Sequence, residues 1–195
     1  MIGIPKGPHI TRYSLYKRLQ ECGPTLPLKE GKVLSISHSE NLVDLLGIKA
    51  TEIVPADYPE VSIFDLGFPD STFDFVVSDQ VLEHIEGYPS AAIEECHRVL
   101  KPGGIAIHTT CFVNPVHGFP KDFWRYTPDA LRLLHQTWSE VLEVDGWGNF
   151  DVWAVAVRDG MRHYGTPLAS WHPLYKLAVK NDPEWPICTW VIAKK

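Results

Sequence analysis

Short apolar runs alternate with segments of helical spacing along the first part of the chain. NLVDLL at residues 41–46 and the segment from about Pro89 to Leu100 have the apolar spacing of helices. Strands that alternate with helices form parallel sheets covered on both faces, so the pattern predicts an α/β fold. The predicted strands are VLSIS (33–37), TEIV (51–54), FDFVVS (73–78) and IAIHTT (105–110).

A further helix is predicted before the first strand. Tyr13, Tyr16 and Leu19 recur at near-helical spacing, and Thr11 is the predicted N-cap of a helix that ends near Cys22. We treat residues 1–30 as an N-terminal helical cap on the sheet. The face from Tyr13 to Leu19 fits either a pocket lid or a dimer face, so a homodimer stays open.

The C-terminal part contains one helix start and two more strands. Thr127, Pro128 and Asp129 combine a hydroxyl cap with proline at the first helical position, which predicts a helix through about Trp138. The strands SEVLEVDG and ICTWVIAKK follow, and a helical insertion is predicted between them.

The alternation of strands and helices is interrupted near residues 51–64, at the edge of the predicted sheet. Six residues, 55–60, separate the apolar runs TEIV and VSIF, whereas a crossover between parallel strands needs a dozen or more. We therefore predict that no helix links residues 54 and 61. Either residues 61–64 form no regular strand, so that the edge is truncated, or the chain crosses the top of the sheet as an extended segment.

Length and charge restrict the class of protein. A chain of 195 residues suits one domain with a substantial core, so we predict a single domain over residues 1–195. The net charge is −6 without a basic stripe, which argues against a nucleic-acid partner. The sequence has no apolar run of bilayer length and no secretory signal pattern, so we expect no membrane association.

The cysteines indicate the cellular compartment. They are scattered and form no CxxC pair, which is typical of reduced thiols in a cytoplasmic protein. The expected partner is a small molecule. Neither a GxSxG elbow nor an HExxH helix is present, which argues against a hydrolase and a zinc protease. The four cysteines are Cys22, Cys96, Cys111 and Cys188.

Two segments together resemble a known family. FPDSTFDFVVSDQVLEH (68–84) and RVLKPGG (98–104), in this order and spacing, resemble the class I S-adenosylmethionine-dependent methyltransferases, particularly their small-molecule branch. The resemblance is good over residues 61–108 and extends more weakly over 32–145. It implies a doubly wound, Rossmann-like sheet with an antiparallel C-terminal hairpin, and S-adenosyl-L-methionine across the carboxyl ends of the strands.

The resemblance also implies cofactor-binding residues. Asp57 matches the acid that accepts the ribose hydroxyls, although a solvated turn aspartate is the alternative. Asp65 matches the residue that receives the adenine amino group, with Leu66 packed on the ring, and a loop cap is the alternative. Ser78 and Asp79 end a strand beside the expected sulfonium.

The turn after the first predicted strand departs from the family pattern. The family carries an acid and a Gly-x-Gly-x-Gly turn there, whereas this chain has Ser35, Ser37, His38 and Ser39. Glycine permits positive φ and lets a ligand touch bare backbone. Because serine is small, we expect the turn to remain open, with the adenosine half of the site retained and the methionine half rebuilt or lost. Ser39 could cap the following helix, with or without a ligand.

NPVHGFPKDFWRYTPDAL (114–131) concentrates reactive side chains on the expected substrate side. We assign residues 114–128 and 146–183 to that side, and Trp124, Arg125 and Tyr126 to the acceptor. The alternative is a satellite core with Arg125 as a structural ion-pair donor. His117 and His84 are the candidate bases, since imidazole titrates near neutrality. His108, His117 and Asp122 could bind a metal, but we expect none.

The leading functional hypothesis is a methyltransferase acting on an oxygen or nitrogen of a small polar metabolite. Methyl transfer needs mainly alignment and desolvation from the protein, with a base where the nucleophile carries a proton. The alternative is a catalytically inactive, methyltransferase-like binding or scaffold protein whose altered turn no longer admits the cofactor.

Overall fold

A six-stranded sheet forms the centre of the molecule. The computed structural model describes residues 4–118, 120–158 and 165–195. The strands lie in the order β3-β2-β4-β5-β8-β6, with β3, β2, β4 and β5 parallel and β8 antiparallel to both neighbours. They span β2 (Glu30–Ile36), β3 (Lys49–Ala56), β4 (Phe73–Asp79), β5 (Leu100–Cys111), β6 (Glu140–Trp147) and β8 (Cys188–Lys194); β1 (Lys6–His9) and β7 (Gly165–Pro167) pair separately. The mostly parallel sheet and its antiparallel C-terminal hairpin confirm the predicted fold class.

Helices cover both faces of this sheet and form the outer layers. One face packs against α1 and α2 around Phe75 and Trp190, and the other packs against α3 and α4 around Phe73 and Val191. Because the central strands are buried on both faces, their sequences read as near-continuous apolar runs. The helices are α1 (Tyr13–Cys22), α2 (Asn41–Leu46), α3 (Pro89–Val99), α4 (Pro128–Leu134), α5 (Phe150–Arg158) and α6 (Pro173–Val179).

The connection from β3 to β4 contains no helix, as predicted. Residues 57–72 hold one isolated bridge, between Ser62 and Asp65, and Ile63 and Leu66 pack with Leu34 and Val76 on one face of the sheet. Residues 61–64 form no regular strand. Of the two predicted alternatives, the structure therefore shows the truncated sheet edge. β3 is consequently the edge strand on this side of the sheet.

One predicted cap is wrong and the other is confirmed. Arg12 holds the N-cap position of α1 without a side-chain hydrogen bond, while the Thr11 hydroxyl is bonded to His9 Nδ1 at 2.7 Å. Thr127 caps α4, and its hydroxyl accepts the Ala130 N–H at 3.1 Å. α4 ends at Leu134 rather than at the predicted Trp138.

The N-terminal cap and the C-terminal insertion pack together. β1 pairs with β7 antiparallel, the Ser14 hydroxyl donates to the Ala178 carbonyl at 2.5 Å, and the rings of Tyr13 and Tyr175 lie 5.7 Å apart. Helices α5 and α6 confirm the predicted helical insertion, although residues 159–164 of the segment 146–183 lie outside the described residues. The face of α1 therefore packs against its own chain.

All four cysteines are free and buried. Within the described residues, no helix is both long and apolar enough to cross a membrane.

A buried histidine pair lies between the sheet and α4. His108 Nδ1 is bonded to the Ser78 hydroxyl at 2.7 Å, and His135 Nδ1 donates to the Leu131 carbonyl at 2.8 Å. The two rings are 5.7 Å apart. Burial, with the second ring as a smaller cause, lowers the pKa of His108 to about 3, and burial lowers the pKa of His135 to about 4. Both imidazoles are therefore neutral in the folded protein.

We predict that this pair makes the protein less stable in weak acid. Below the pKa of about 6.5 of an unfolded histidine, the unfolded chain binds protons that the folded pair does not. Stability is thus full above pH 6.5 and falls as the pH drops toward the folded values. Between pH 7 and pH 5 the pair should lower the free energy of unfolding by roughly 3 kcal/mol, which urea unfolding measures.

The variant His108→Leu should reduce the slope of the unfolding free energy against pH by about 1.4 kcal/mol per pH unit. The control Leu133→Ala, at an exposed position of α4, changes no titratable group and should leave the slope unchanged. An equal slope in wild type and His108→Leu would show that the buried pair does not bind its protons on unfolding.

Candidate functional site

The carboxyl ends of the parallel strands meet along one edge of the sheet. β2, β3, β4 and β5 end at Ile36, Ala56, Asp79 and Cys111. Ligands of doubly wound sheets bind in the crevice outside these ends, where the strand order reverses. Here the reversal lies between β2 and β4, whose connections run to opposite sides.

The turn after β2 adopts a conformation usually left to glycine. Ser37 and His38 have φ of 52° and 60°, both in the left-handed region. Each non-glycine residue there costs roughly 1–2 kcal/mol, so other contacts must stabilise the turn. The altered sequence has therefore kept a glycine-like backbone path.

Hydrogen bonds within the protein hold this turn. The Ser37 N–H donates to the Ala56 carbonyl at 3.1 Å, and the His38 N–H donates to Asp57 Oδ1 at 2.9 Å. The Ser39 N–H donates to the Ser35 hydroxyl at 3.0 Å. Three consecutive N–H groups are thus already bonded, whereas a glycine turn can present such groups to a ligand.

Three serines predicted to contact the cofactor turn their side chains into the protein. Ser35, Ser39 and Ser78 are completely buried. The Ser39 hydroxyl donates to the Ile36 carbonyl at 2.5 Å and accepts the Asp79 N–H at 2.7 Å, so it does not cap α2. The Ser78 hydroxyl is bonded to His108 on the opposite face of the sheet. These side chains shape the turn and the strand end but cannot touch a ligand in this arrangement.

Asp57 connects the ends of β2 and β3. Besides accepting the His38 N–H, its carboxylate lies 3.3 Å from His38 Nδ1 and keeps 26% of its side-chain surface exposed. Asp65 is exposed, and the buried Leu66 donates its N–H to Glu95 at 2.9 Å. Asp57 and Asp65 can therefore still accept a ligand hydrogen bond, whereas Leu66 is already packed within the core.

Asp79 is the most heavily bonded acid of the site. Its Oδ2 accepts the Tyr16 hydroxyl at 2.6 Å and the Asn41 amide at 2.8 Å, and its Oδ1 accepts the Thr109 hydroxyl at 2.5 Å. Arg12 Nη1 lies 3.9 Å from Oδ1. The carboxylate predicted beside the sulfonium is thus occupied by protein donors from α1, α2 and β5.

The three residues predicted to hold the acceptor serve the loop after β5 instead. Arg125 forms a bidentate pair with Asp122 and donates to the Trp124 carbonyl at 2.7 Å. Its proximity lowers the pKa of Asp122, whose side chain is only 3% exposed. Tyr126 is buried with its hydroxyl donating to the Leu82 carbonyl at 3.0 Å, and the Trp124 indole donates to the Ile85 carbonyl at 3.1 Å. The alternative of a satellite core with a structural arginine describes this loop better.

The two predicted bases lie side by side. The rings of His84 and His117 are in edge contact at 5.0 Å. His84 Nδ1 donates to the Lys121 carbonyl at 2.6 Å, which leaves Nε2 as the free nitrogen. His117 Nδ1 lies 3.0 Å from the Asn114 amide and 3.1 Å from Asp122 Oδ2. His108 was considered as a metal ligand together with His117 and Asp122, but it lies in the buried pair with His135, away from those two residues.

A cavity of about 170 Å³ opens beside His117, at the ends of β4 and β5. Its wall combines the N-terminal cap, the loop after β5 and the start of β8. The volume suits a small group, and polar side chains supply several hydrogen-bonding atoms. The lining residues are Thr11, Arg12, Gln80, Cys111, Asn114, Pro115, His117, Ile187 and Cys188.

The chain is similar to known methyltransferases in sequence. A sequence model described as a methyltransferase domain matches residues 22–108. An uncharacterised methyltransferase of Schizosaccharomyces pombe is 33% identical over 102 residues, covering 48% of this chain and 36% of that protein. A demethylmenaquinone methyltransferase of Geobacillus stearothermophilus is 28% identical over 120 residues, covering 60% and 51%. The chain thus matches only about a third to a half of the length of these relatives.

Solved structures show the same fold over nearly the whole chain. An S-adenosylmethionine-dependent methyltransferase from Mesorhizobium loti has a TM-score of 0.57 at 13% identity, covering 95% of this chain and 98% of its own. One from Archaeoglobus fulgidus has a TM-score of 0.54 at 14% identity, covering 94% of each. Over residues 22–108 the chain is thus similar to the methyltransferase domain, and its fold is that of S-adenosylmethionine-dependent methyltransferases.

The structure places residues at this site that the sequence did not reveal. Arg12 and Gln80 line the cavity, and Glu83 is completely buried behind it. Arg12 lies before α1, far from the recognisable motifs, so no sequence signal placed it near the strand ends. Glu83 lies within the segment 68–84, and no role for it was predicted from the sequence.

We predict that Ser37→Gly stabilises the protein by about 0.5–1 kcal/mol, since glycine adopts the left-handed region without strain. The measurement is the midpoint of urea unfolding. Ser90→Gly, within α3, is the matched control and should destabilise by roughly half a kcal/mol. A destabilised Ser37→Gly would show that this turn carries little strain.

Proposed function

We propose that this chain is an S-adenosylmethionine-dependent methyltransferase acting on an oxygen or nitrogen of a small polar metabolite. The observation that carries the proposal is the cavity at the ends of β4 and β5. It places His117 beside the strand end where this family is expected to hold the reacting group. Its volume favours a small acceptor over a macromolecular segment.

The strand ends fit the adenosine part of the cofactor better than the methionine part. Asp57 and Asp65 retain accessible carboxylate oxygens at the ribose and adenine positions. On the methionine side, the bonded turn and the occupied Asp79 leave few free groups. Arg12 is the nearby cation that lines the cavity, and we propose that it balances an anionic group there.

When bound, S-adenosylmethionine supplies a methyl carbon that its sulfonium already activates. The chain's residues then have to align the acceptor and exclude water. The N-terminal cap does both, because Thr11 and Arg12 close one wall of the cavity while Tyr16 anchors the cap to Asp79.

We propose His117 as the base for an acceptor that carries a proton. It lines the cavity, and two acceptors, Asp122 Oδ2 and the Pro115 carbonyl, lie 3.1 and 3.2 Å from its Nδ1. The tautomer with Nδ1–H donates to them and leaves Nε2 free to accept a proton. His84 does not line the cavity but contacts the His117 ring, and it can orient that ring or accept its proton.

We predict that the protein binds S-adenosylhomocysteine and that Asp57 contributes to binding. Asp57→Asn keeps an oxygen for the His38 N–H but loses the charge that favours the ribose hydroxyls, so affinity should fall about tenfold with stability nearly unchanged. Asp57→Ala should lose both affinity and about 1–2 kcal/mol of stability. Calorimetry and urea unfolding measure the two effects separately.

Unchanged affinity in both Asp57 variants would remove this residue from the cofactor site. No binding of S-adenosylhomocysteine at millimolar concentration would favour the second candidate, a non-catalytic methyltransferase-like binding protein. That candidate is supported by one specific observation, the three internally bonded N–H groups of the turn after β2.

We predict that His117→Ala lowers turnover by at least about a hundredfold and leaves cofactor affinity unchanged, because a positioned base contributes roughly 10²–10⁴-fold. The measurement compares turnover with a working acceptor and calorimetry with S-adenosylhomocysteine. His172→Ala removes an imidazole that caps α6 and is the control for a general effect of histidine loss. Near-normal turnover in His117→Ala would move the role to His84 or show that alignment alone suffices.

A further inference from the structure

Three side chains of different chemistry converge behind the cavity. One oxygen of Glu83, the sulfur of Cys111 and a ring nitrogen of His117 all lie within 4.8 Å of one another. Cys111 and His117 also line the cavity, so the cluster has one open side. Carboxylate, thiolate and imidazole are the three ligand types that zinc sites in proteins combine.

The carboxylate of Glu83 provides a second, independent observation. Glu83 is completely buried, and its Oε2 accepts the Thr110 hydroxyl at 2.8 Å. Its Oε1 is also buried and has no hydrogen-bond partner among the described residues. A buried carboxylate oxygen without a partner is costly, so this atom is expected to bind something that the protein alone does not supply.

We propose that Glu83, Cys111 and His117 form a binding site for Zn²⁺ or a similar divalent cation, with the fourth position open to the cavity. Bond lengths of about 2.0–2.3 Å in a tetrahedral site place ligand atoms roughly 3.3–3.8 Å apart. The cluster therefore has to contract by about 1 Å. His117 lies in a loop next to Gly118 and is half-exposed, so it is the ligand best able to move.

The proton balance of this site gives a measurable signature. Burial, together with Glu83, raises the pKa of Cys111 to about 12, so the metal-free site holds a neutral thiol. Binding forms a metal–sulfur bond and releases the thiol proton to solvent. The charged groups that face Cys111 are Glu83, Arg125, Asp122 and Arg12, and the two guanidiniums oppose the two carboxylates.

The site lies beyond the proposed methyl transfer and does not depend on it. A nitrogen that ligates a metal has no lone pair for a proton, so a bound cation and the base role of His117 exclude each other when both use Nε2. A zinc-binding measurement on the protein without acceptor or cofactor therefore tests the site alone.

The experiment titrates the metal-free protein with Co²⁺, whose thiolate complex absorbs in the near ultraviolet, and then displaces it with Zn²⁺ in a calorimeter. We expect one equivalent to bind, and no binding of Mg²⁺, which avoids sulfur ligands. Glu83→Gln, Cys111→Ser and His117→Ala should each weaken zinc binding at least about a hundredfold. Circular dichroism and urea unfolding without metal show whether each variant folds.

Cys188→Ser is the matched control. Cys188 lies directly opposite Cys111 in the β5–β8 pair, lines the same cavity and is equally buried, but its thiol faces the Trp147 carbonyl at 3.5 Å. This variant should retain zinc binding within about threefold. A loss in Cys188→Ser equal to that in Cys111→Ser, or undiminished binding in His117→Ala, would overturn the site. Absence of the cobalt–thiolate band in the wild type would do the same.

Discussion

The carboxylate of Asp79 connects the elements that form this site. It ends the central strand β4, and its side chain is only 10% exposed. A carboxylate removed from water is stable only when donors surround it. Those donors come from Tyr16 in α1, Asn41 in α2 and Thr109 in β5, so one buried charge fixes three elements relative to the strand. The position of the N-terminal cap, and with it one wall of the cavity, depends on this interaction.

The turn after β2 depends on the same strand end. Its left-handed residues, Ser37 and His38, are strained, and the bond from the Asp79 N–H to the Ser39 hydroxyl fastens the turn to β4. Asp57 fastens it to β3 through the His38 N–H. Glycines would reach this backbone path without such supports, and they would leave their N–H groups for a ligand. This turn has internal bonds in place of that accessibility, so it keeps its shape while its N–H groups are already bonded.

The fold was largely predictable from local patterns, whereas the site was predictable only in part. Periodicity located α2 and the central strands because long buried strands leave continuous apolar runs, and the six-residue interval after β3 excluded a helix. His84 and His117 were named separately as candidate bases, and the structure shows that their rings are in contact. The roles of Arg125 and Tyr126 did not follow, because a guanidinium or phenol looks the same in sequence whether it faces a ligand or a backbone carbonyl.

The fold alone does not determine the reaction. Fold supplies the crevice at the strand ends, and side chains at those ends supply the chemistry. In this chain the crevice is narrowed by an N-terminal cap that a buried carboxylate holds in place. Moving the cap away from β4 would break the bond from Tyr16 to Asp79, and the freed carboxylate would then need a new donor. A positively charged donor is suited to that exchange, because it would replace the hydrogen bond of the tyrosine hydroxyl and add to the charge pairing that Arg12 provides.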